Sequence, residues 1–106
     1  MNYTEKIAMV LGLGMTQVEH TVALLEEGAT VPFIARYRKE ATGGLDEVRI
    51  AAVRDLLGQL KALDKRREAI LSSISEQGKL TPELERQLRE ADTLTMLEDL
   101  YMPYKP

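Results

Sequence analysis

The sequence predicts an all-α fold, an elongated helical domain of about five to six helices with one long central helix and a helix-turn-helix-like N-terminal part. Three observations predict it. Apolar residues recur at three- and four-residue spacing along the 106-residue chain, as on the buried face of a helix. No stretch alternates apolar and polar with period two, the mark of a half-buried strand. Hydroxyl and acidic residues, prolines and glycines fall where helices start and stop.

The elements follow in order. Ile7, Val10 and Leu11 give the region from Tyr3 to Leu11 one apolar face, and Gly12 and Gly14 break it. A second helix is expected to open at Thr16, with Glu19 completing a capping box and Val18, Val22 and Leu25 inward. Gly28 suits the left-handed position that ends it. Pro32 fits the first turn of a short helix, to which Phe33, Ile34 and Tyr37 give a sticky side. Arg38 to Gly44 reads as a loop with Gly43-Gly44 as breakers and Thr42 bonding locally.

Asp46 is an N-cap with Leu45 as the staple residue before it. No proline follows until Gly78 supplies a stop, which predicts one helix of about 48 Å at 1.5 Å per residue. Its stripe is Val53, Leu56, Leu60, Leu63, Ile70 and Ile74, interrupted by Arg67, and Gly58 marks a bend or a close contact. Thr81-Pro82-Glu83 starts another helix with Leu84 and Leu88 inward. Thr95 and Glu98 read as a capping box for a last helix that buries Leu97, Leu100 and Tyr101. Met102 to Pro106 reads as extended, because proline biases its predecessor away from helix.

Composition excludes several functions. The chain has 14 Lys+Arg against 17 Asp+Glu, a net charge of -3, which argues against a protein that coats polyanions wholesale. Without cysteine there are no disulfides, thiolate metal sites or Cys nucleophiles. The apolar run Ile7 to Leu13 follows Glu5 and Lys6 and precedes no cleavage site, so it does not read as a signal peptide. No run reaches the roughly 20 apolar residues of a spanning helix, and no membrane partner is expected. A compact chain of this length has a radius of gyration near 13 Å. The long helix therefore predicts an elongated shape with apolar surface left for a partner. Tyr104-Lys105-Pro106 is no stop signal, and residues 1–106 are expected to be part of a larger protein.

Motifs for chemistry are scarce. Gly12-Leu13-Gly14 has Gln17 at the third glycine position of a dinucleotide fingerprint and no strand before it. Gly43-Gly44 lacks the Lys-Ser/Thr pair of a P-loop, and Asp46 and Glu47 already occupy the positive helix end beside it. His20 has no metal-ligand spacing and no nucleophile to serve. No catalytic residue, metal site or cofactor is assigned, and the chain is not read as an enzyme.

Two basic clusters remain. Arg36, Arg38 and Lys39 flank Tyr37, a pattern that holds phosphate and stacks a base. The same residues fit a second description, with Tyr37 in the core and the cations paired to Glu40 or to another part of the chain. Lys65-Arg66-Arg67 lies between Asp64 and Glu68, as on a solvated, salt-bridged helix face; it is the secondary candidate for nucleic acid. The second helix, Gly28 and the Pro32 helix have a helix-turn-helix shape, but Val31, Pro32, Phe33 and Ile34 stand where base-reading residues belong.

Three strings carry a resemblance. Glu27 to Glu40 (EGATVPFIARYRKE) with Thr42-Gly43-Gly44-Leu45-Asp46, then Glu76 to Leu84, then Leu97 to Pro106, resemble in order the N-terminal region of the bacterial Tex proteins, the transcription accessory proteins. Residues 1–25 match only in pattern. The resemblance implies the first part of a multi-domain cytoplasmic protein that binds nucleic acid, RNA especially, and acts around transcription. It implies that an RNase H-like domain, helix-hairpin-helix elements and an oligonucleotide-binding-fold domain follow elsewhere. It carries no catalytic residues over to these positions. The expected role is a non-catalytic scaffold whose partners are the remainder of its own chain and, through the full-length protein, RNA or the transcription machinery. The alternative is an autonomous nucleic-acid-binding module using Arg36 to Lys39.

Overall fold

The computed structural model describes residues 2–106. Seven α-helices and one 3-10 turn occur among the described residues, with no strand. They are α1 (Tyr3–Leu11), α2 (Met15–Glu26), α3 (Val31–Tyr37), α4 (Lys39–Thr42), α5 (Glu47–Glu76), α6 (Pro82–Glu90), α7 (Leu94–Tyr101) and the turn Met102–Tyr104. Two units divide the chain, the first ending at Leu60 and the second Lys61–Pro106. No single helix among the described residues is long and apolar enough to cross a membrane.

In the first unit, α1 ends at Gly12, whose φ of 67° is the left-handed stop that glycine adopts without strain. The chain then turns by 119° into α2. Ile7, Ala8, Val18, Val53 and Leu57 form one buried cluster, and Leu24, Val31, Ile34, Leu45 and Ile50 form another. Each fully buried Ile or Val contributes about 1.5–3 kcal/mol, against about 1 kcal/mol for a helix cap. Packing therefore holds the unit, and caps set where its helices begin. Asp46 caps α5 by accepting from the Arg49 N–H at 2.9 Å. Leu45 and Ile50, the staple pair on either side of that cap, share the second cluster.

Two expectations change here. α2 opens at Met15, not Thr16: Gly14 is the N-cap, and its N–H donates to the Gln17 side-chain oxygen at 3.1 Å. The other end of the Gln17 amide donates to the Thr42 carbonyl at 3.0 Å, so a tertiary bond fixes the rotamer that caps the helix. The predicted loop after Arg38 holds the single helical turn α4. His20 Nδ1 donates to the Ala41 carbonyl at 2.8 Å, so with Gln17 it satisfies two carbonyls that a short helix leaves orphaned. Thr42 bonds locally as expected, accepting from the Leu45 N–H at 3.3 Å.

The second unit packs Leu63, Ile70, Leu71 and Ile74 of α5 against Leu84, Leu88, Ala91, Leu97 and Tyr101. Thr81 caps α6, its hydroxyl accepting from the Leu84 N–H. α7 is capped by Thr93, whose hydroxyl accepts from the Met96 N–H, and not by Thr95. Glu98 is unavailable for a capping box because Arg66 Nε and Nη2 donate to its carboxylate. Met102 to Tyr104 forms a 3-10 turn where extended chain was expected; Pro103 sits at its start, where no N–H is needed. Tyr101 is tied to α5 by a 2.7 Å bond between its hydroxyl and Ser73 Oγ.

α5 carries the predicted stripe: Val53, Leu63, Ile70 and Ile74 are buried and Leu56 and Leu60 are partly so. Gly58 makes no close approach, since a Cβ there would meet nothing within 4 Å. Arg67 is no interruption. Its guanidinium donates to the carbonyls of Leu88 and Ala91 and pairs with Asp64, closing the C-terminal end of α6.

Candidate functional site

The site is the outer face of α3. Thr30 caps the helix by accepting from the Phe33 N–H at 3.3 Å, and Pro32 occupies its first turn. Val31 and Ile34 point into the core. Helical spacing then sends Phe33, Arg36 and Tyr37, at i, i+3 and i+4, to the opposite side. Phe33 is 46% exposed and Tyr37 60%. Their ring centroids lie 5.3 Å apart with planes tilted by 49°, the edge-inclined geometry that aromatic quadrupoles favour. Tyr37 is thus a surface ring, not a core one.

Pro32, Phe33, Arg36 and Tyr37 line a shallow cleft of about 330 Å³ whose remaining wall is Glu47, from the first turn of α5. Arg36 and Glu47 form no ion pair among the described residues. The cleft presents two rings, one cation and one anion.

The four predicted residues do not stay together. Arg38 leaves the helical register (φ -126°, ψ 37°), and its Nε donates to Glu40 at 2.8 Å. That bond, helped by one to the Glu40 backbone, pulls the Glu40 carboxyl below its usual range. Arg38 lines a second cleft of about 350 Å³ with His20, Ala23, Leu24, Glu27, Glu40 and Ala41. Lys39 is exposed at the start of α4. Arg36 and Tyr37 therefore belong to one surface and Arg38 to another.

The second basic cluster is also divided. Lys65 is exposed. Arg66 forks onto Glu98 and lies over the Tyr101 ring, 5.4 Å from its centroid. The Arg66 hydrogen bond lowers the Glu98 carboxyl, and the Glu98 bond raises Arg66 in turn. Arg67 is turned inward on α6. No group of three or more His, Asp or Glu side chains among the described residues is placed to hold a metal ion.

Sequence reasoning missed Glu47 as a neighbour of the rings, since nothing local joins residues ten apart. It also missed Arg67 as a cap, although a cation set in an apolar stripe is itself a signal that a buried acceptor waits for it.

The family model of the Tex-like protein N-terminal domain matches residues 1–75, which hold α1 to α4 and nearly all of α5. The chain belongs to the Tex-like N-terminal domain family. It is similar to the protein YhgF of Escherichia coli (strain K12), with 57% identity over 90 residues, 85% of this chain and 12% of that one. It shares 49% identity over all 106 residues with the transcriptional accessory protein Tex of Neisseria gonorrhoeae, covering 14% of it. A more distant relative is the S1 RNA-binding domain-containing protein 1 of Homo sapiens, 32% identical over 84 residues, 79% of this chain and 8% of that one. The chain spans about one seventh of the length of the first bacterial relatives it matches. The Tex-like resemblance seen in three strings of the sequence is thereby established, and the site on α3 lies inside the family's matched region.

Proposed function

We propose that this chain is a non-catalytic helical scaffold and interaction module of a Tex-like transcription accessory protein, one that binds nucleic acid, RNA in particular, and acts in transcription in the cytoplasm. The observation that carries the module reading is the outer face of α3. Two large rings, in contact with each other, and an arginine are left exposed by a helix whose inner face, Val31 and Ile34, is buried. Exposed aromatic groups beside polar ones mark surfaces that bind something else. The setting is read through the longer protein: one relative is named for transcription and another for an RNA-binding S1 domain, and both extend far beyond the matched part. The non-catalytic part rests on the want of a paired nucleophile, base or cofactor loop in the sequence.

The test is hydrogen exchange in two contexts: the 106-residue chain alone, and the same chain replacing the matched segment of the gonococcal relative. The reading expects the amides of α3 to exchange more slowly in the longer protein. Equal protection in both contexts would remove the scaffold role.

The exposed Tyr37 ring favours a second reading, an autonomous nucleic-acid-binding module with a base stacked on it. Here α2, the Gly28 turn and α3 would serve as a helix-turn-helix-like unit. The division of Arg36 from Arg38 and the carboxylates in both clefts weigh against it. It expects binding to single-stranded RNA that weakens steeply between about 50 and 200 mM salt and further on Arg36→Ala.

A further inference from the structure

We propose that the α3 cleft docks a short peptide segment of a protein partner, one presenting an aromatic or long aliphatic side chain between an acidic and a basic residue. The proposal rests on the interaction-module reading and names the occupant of that surface.

Size limits the occupant first. A cleft of about 330 Å³ is at the small end of the roughly 300–1,000 Å³ range of ligand sites, enough for one or two inserted side chains and not for a folded surface. The lining then sets the chemistry of the insert. Pro32, Phe33 and Tyr37 offer apolar and aromatic surface without a backbone edge to pair with, so the anchor is a side chain and not an added strand.

Charge decides between kinds of partner. Arg36 offers a guanidinium fork that matches a carboxylate or a phosphate. Glu47, on the same cleft, offers an acceptor for a cation and repels a second anion. A nucleic-acid strand brings one negative charge per nucleotide and no cation, so it satisfies Arg36 and opposes Glu47. A peptide with opposite charges on either side of its anchor satisfies both. Neither group is engaged by another ion pair among the described residues, so docking breaks no ion pair already formed.

The experiment selects short random peptides displayed on phage against the 106-residue chain, with an unrelated helical protein as counter-selection. The enriched peptides are then synthesised and titrated. They are expected to share an acid–apolar–base pattern and to lose at least about tenfold in affinity on Tyr37→Ser, as removal of a central aromatic anchor does. Arg36→Gln should erase the preference for the acidic position alone, and Glu47→Gln that for the basic position alone. All three side chains are exposed, and unchanged circular dichroism checks that the variants fold. The absence of a shared pattern, or affinity indifferent to Tyr37→Ser, overturns the proposal. So does displacement of the peptides by single-stranded RNA in a Tyr37-dependent manner, which would hand the surface to nucleic acid. Any of these results alongside slowed α3 exchange in the longer protein refutes the peptide occupant alone; equal exchange refutes the module reading itself.

Discussion

Replacing Arg67 with alanine puts the least expected part of the second unit under test. The side chain is only 12% exposed, and its guanidinium serves the carbonyls of Leu88 and Ala91, two of those that α6 cannot satisfy within itself. A hydrogen bond to a charged group contributes about 1.5–3 kcal/mol net, so the two together set an upper figure of roughly 3–6 kcal/mol. Water can reach the vacated rim and recover part of this, which brings the expected loss to about 3 kcal/mol. The pairing with Asp64 adds under about 1 kcal/mol, because that carboxylate is 48% exposed and stays hydrated. The neighbouring exposed Lys65→Ala is the control, expected to stay within about 0.5 kcal/mol. Urea unfolding followed by far-ultraviolet circular dichroism measures both. Arg67→Lys should fall between, since an ammonium lacks the fork that reaches two carbonyls at once. An Arg67→Ala loss below about 1 kcal/mol, or one equal to that of Lys65→Ala, would refute the capping account.

Two further outcomes follow from the geometry. Gly58→Ala is expected to stabilise α5 by about 1 kcal/mol, because the helix is continuous there and a Cβ meets nothing within 4 Å; a lower melting temperature would mean that a close contact exists after all. Glu98 is held below the usual carboxylate value, chiefly by Arg66, so its contribution is fully present above about pH 4.3 and is lost as pH falls through its lower folded value. Glu98→Gln should therefore flatten the acid limb of the stability profile and leave the alkaline limb unchanged.

Much of the fold was legible because it is written locally. Asp46, Thr81, Gly28 and Gly78 act through neighbours within four residues, and each stands where a helix starts or ends. The misplaced starts share one cause. Thr16 and Thr95 were reasonable caps, but Gln17 is held by Thr42 and Glu98 by Arg66, partners 25 and 32 residues away. α4 was invisible for the same reason, since its last carbonyls depend on donors from α2. At the site, Phe33, Ile34 and Tyr37 were seen as one sticky side of α3. A seven-residue helix with large apolar groups on most of its circumference cannot by pattern alone say which of them is buried. The core chose Ile34, and that choice put the two rings outside.

Gln17 has one more consequence, which concerns chemical ageing. Its amide is a directional connector: the oxygen end accepts from the Gly14 N–H and the nitrogen end donates a hydrogen bond to the Thr42 carbonyl. A glutamate has the same shape but no nitrogen end. Deamidation at this one position would keep the helix start and turn the tie to α4 into two oxygens facing each other. The segment that carries Arg38 and Lys39 would loosen without any change in the bulk of a side chain.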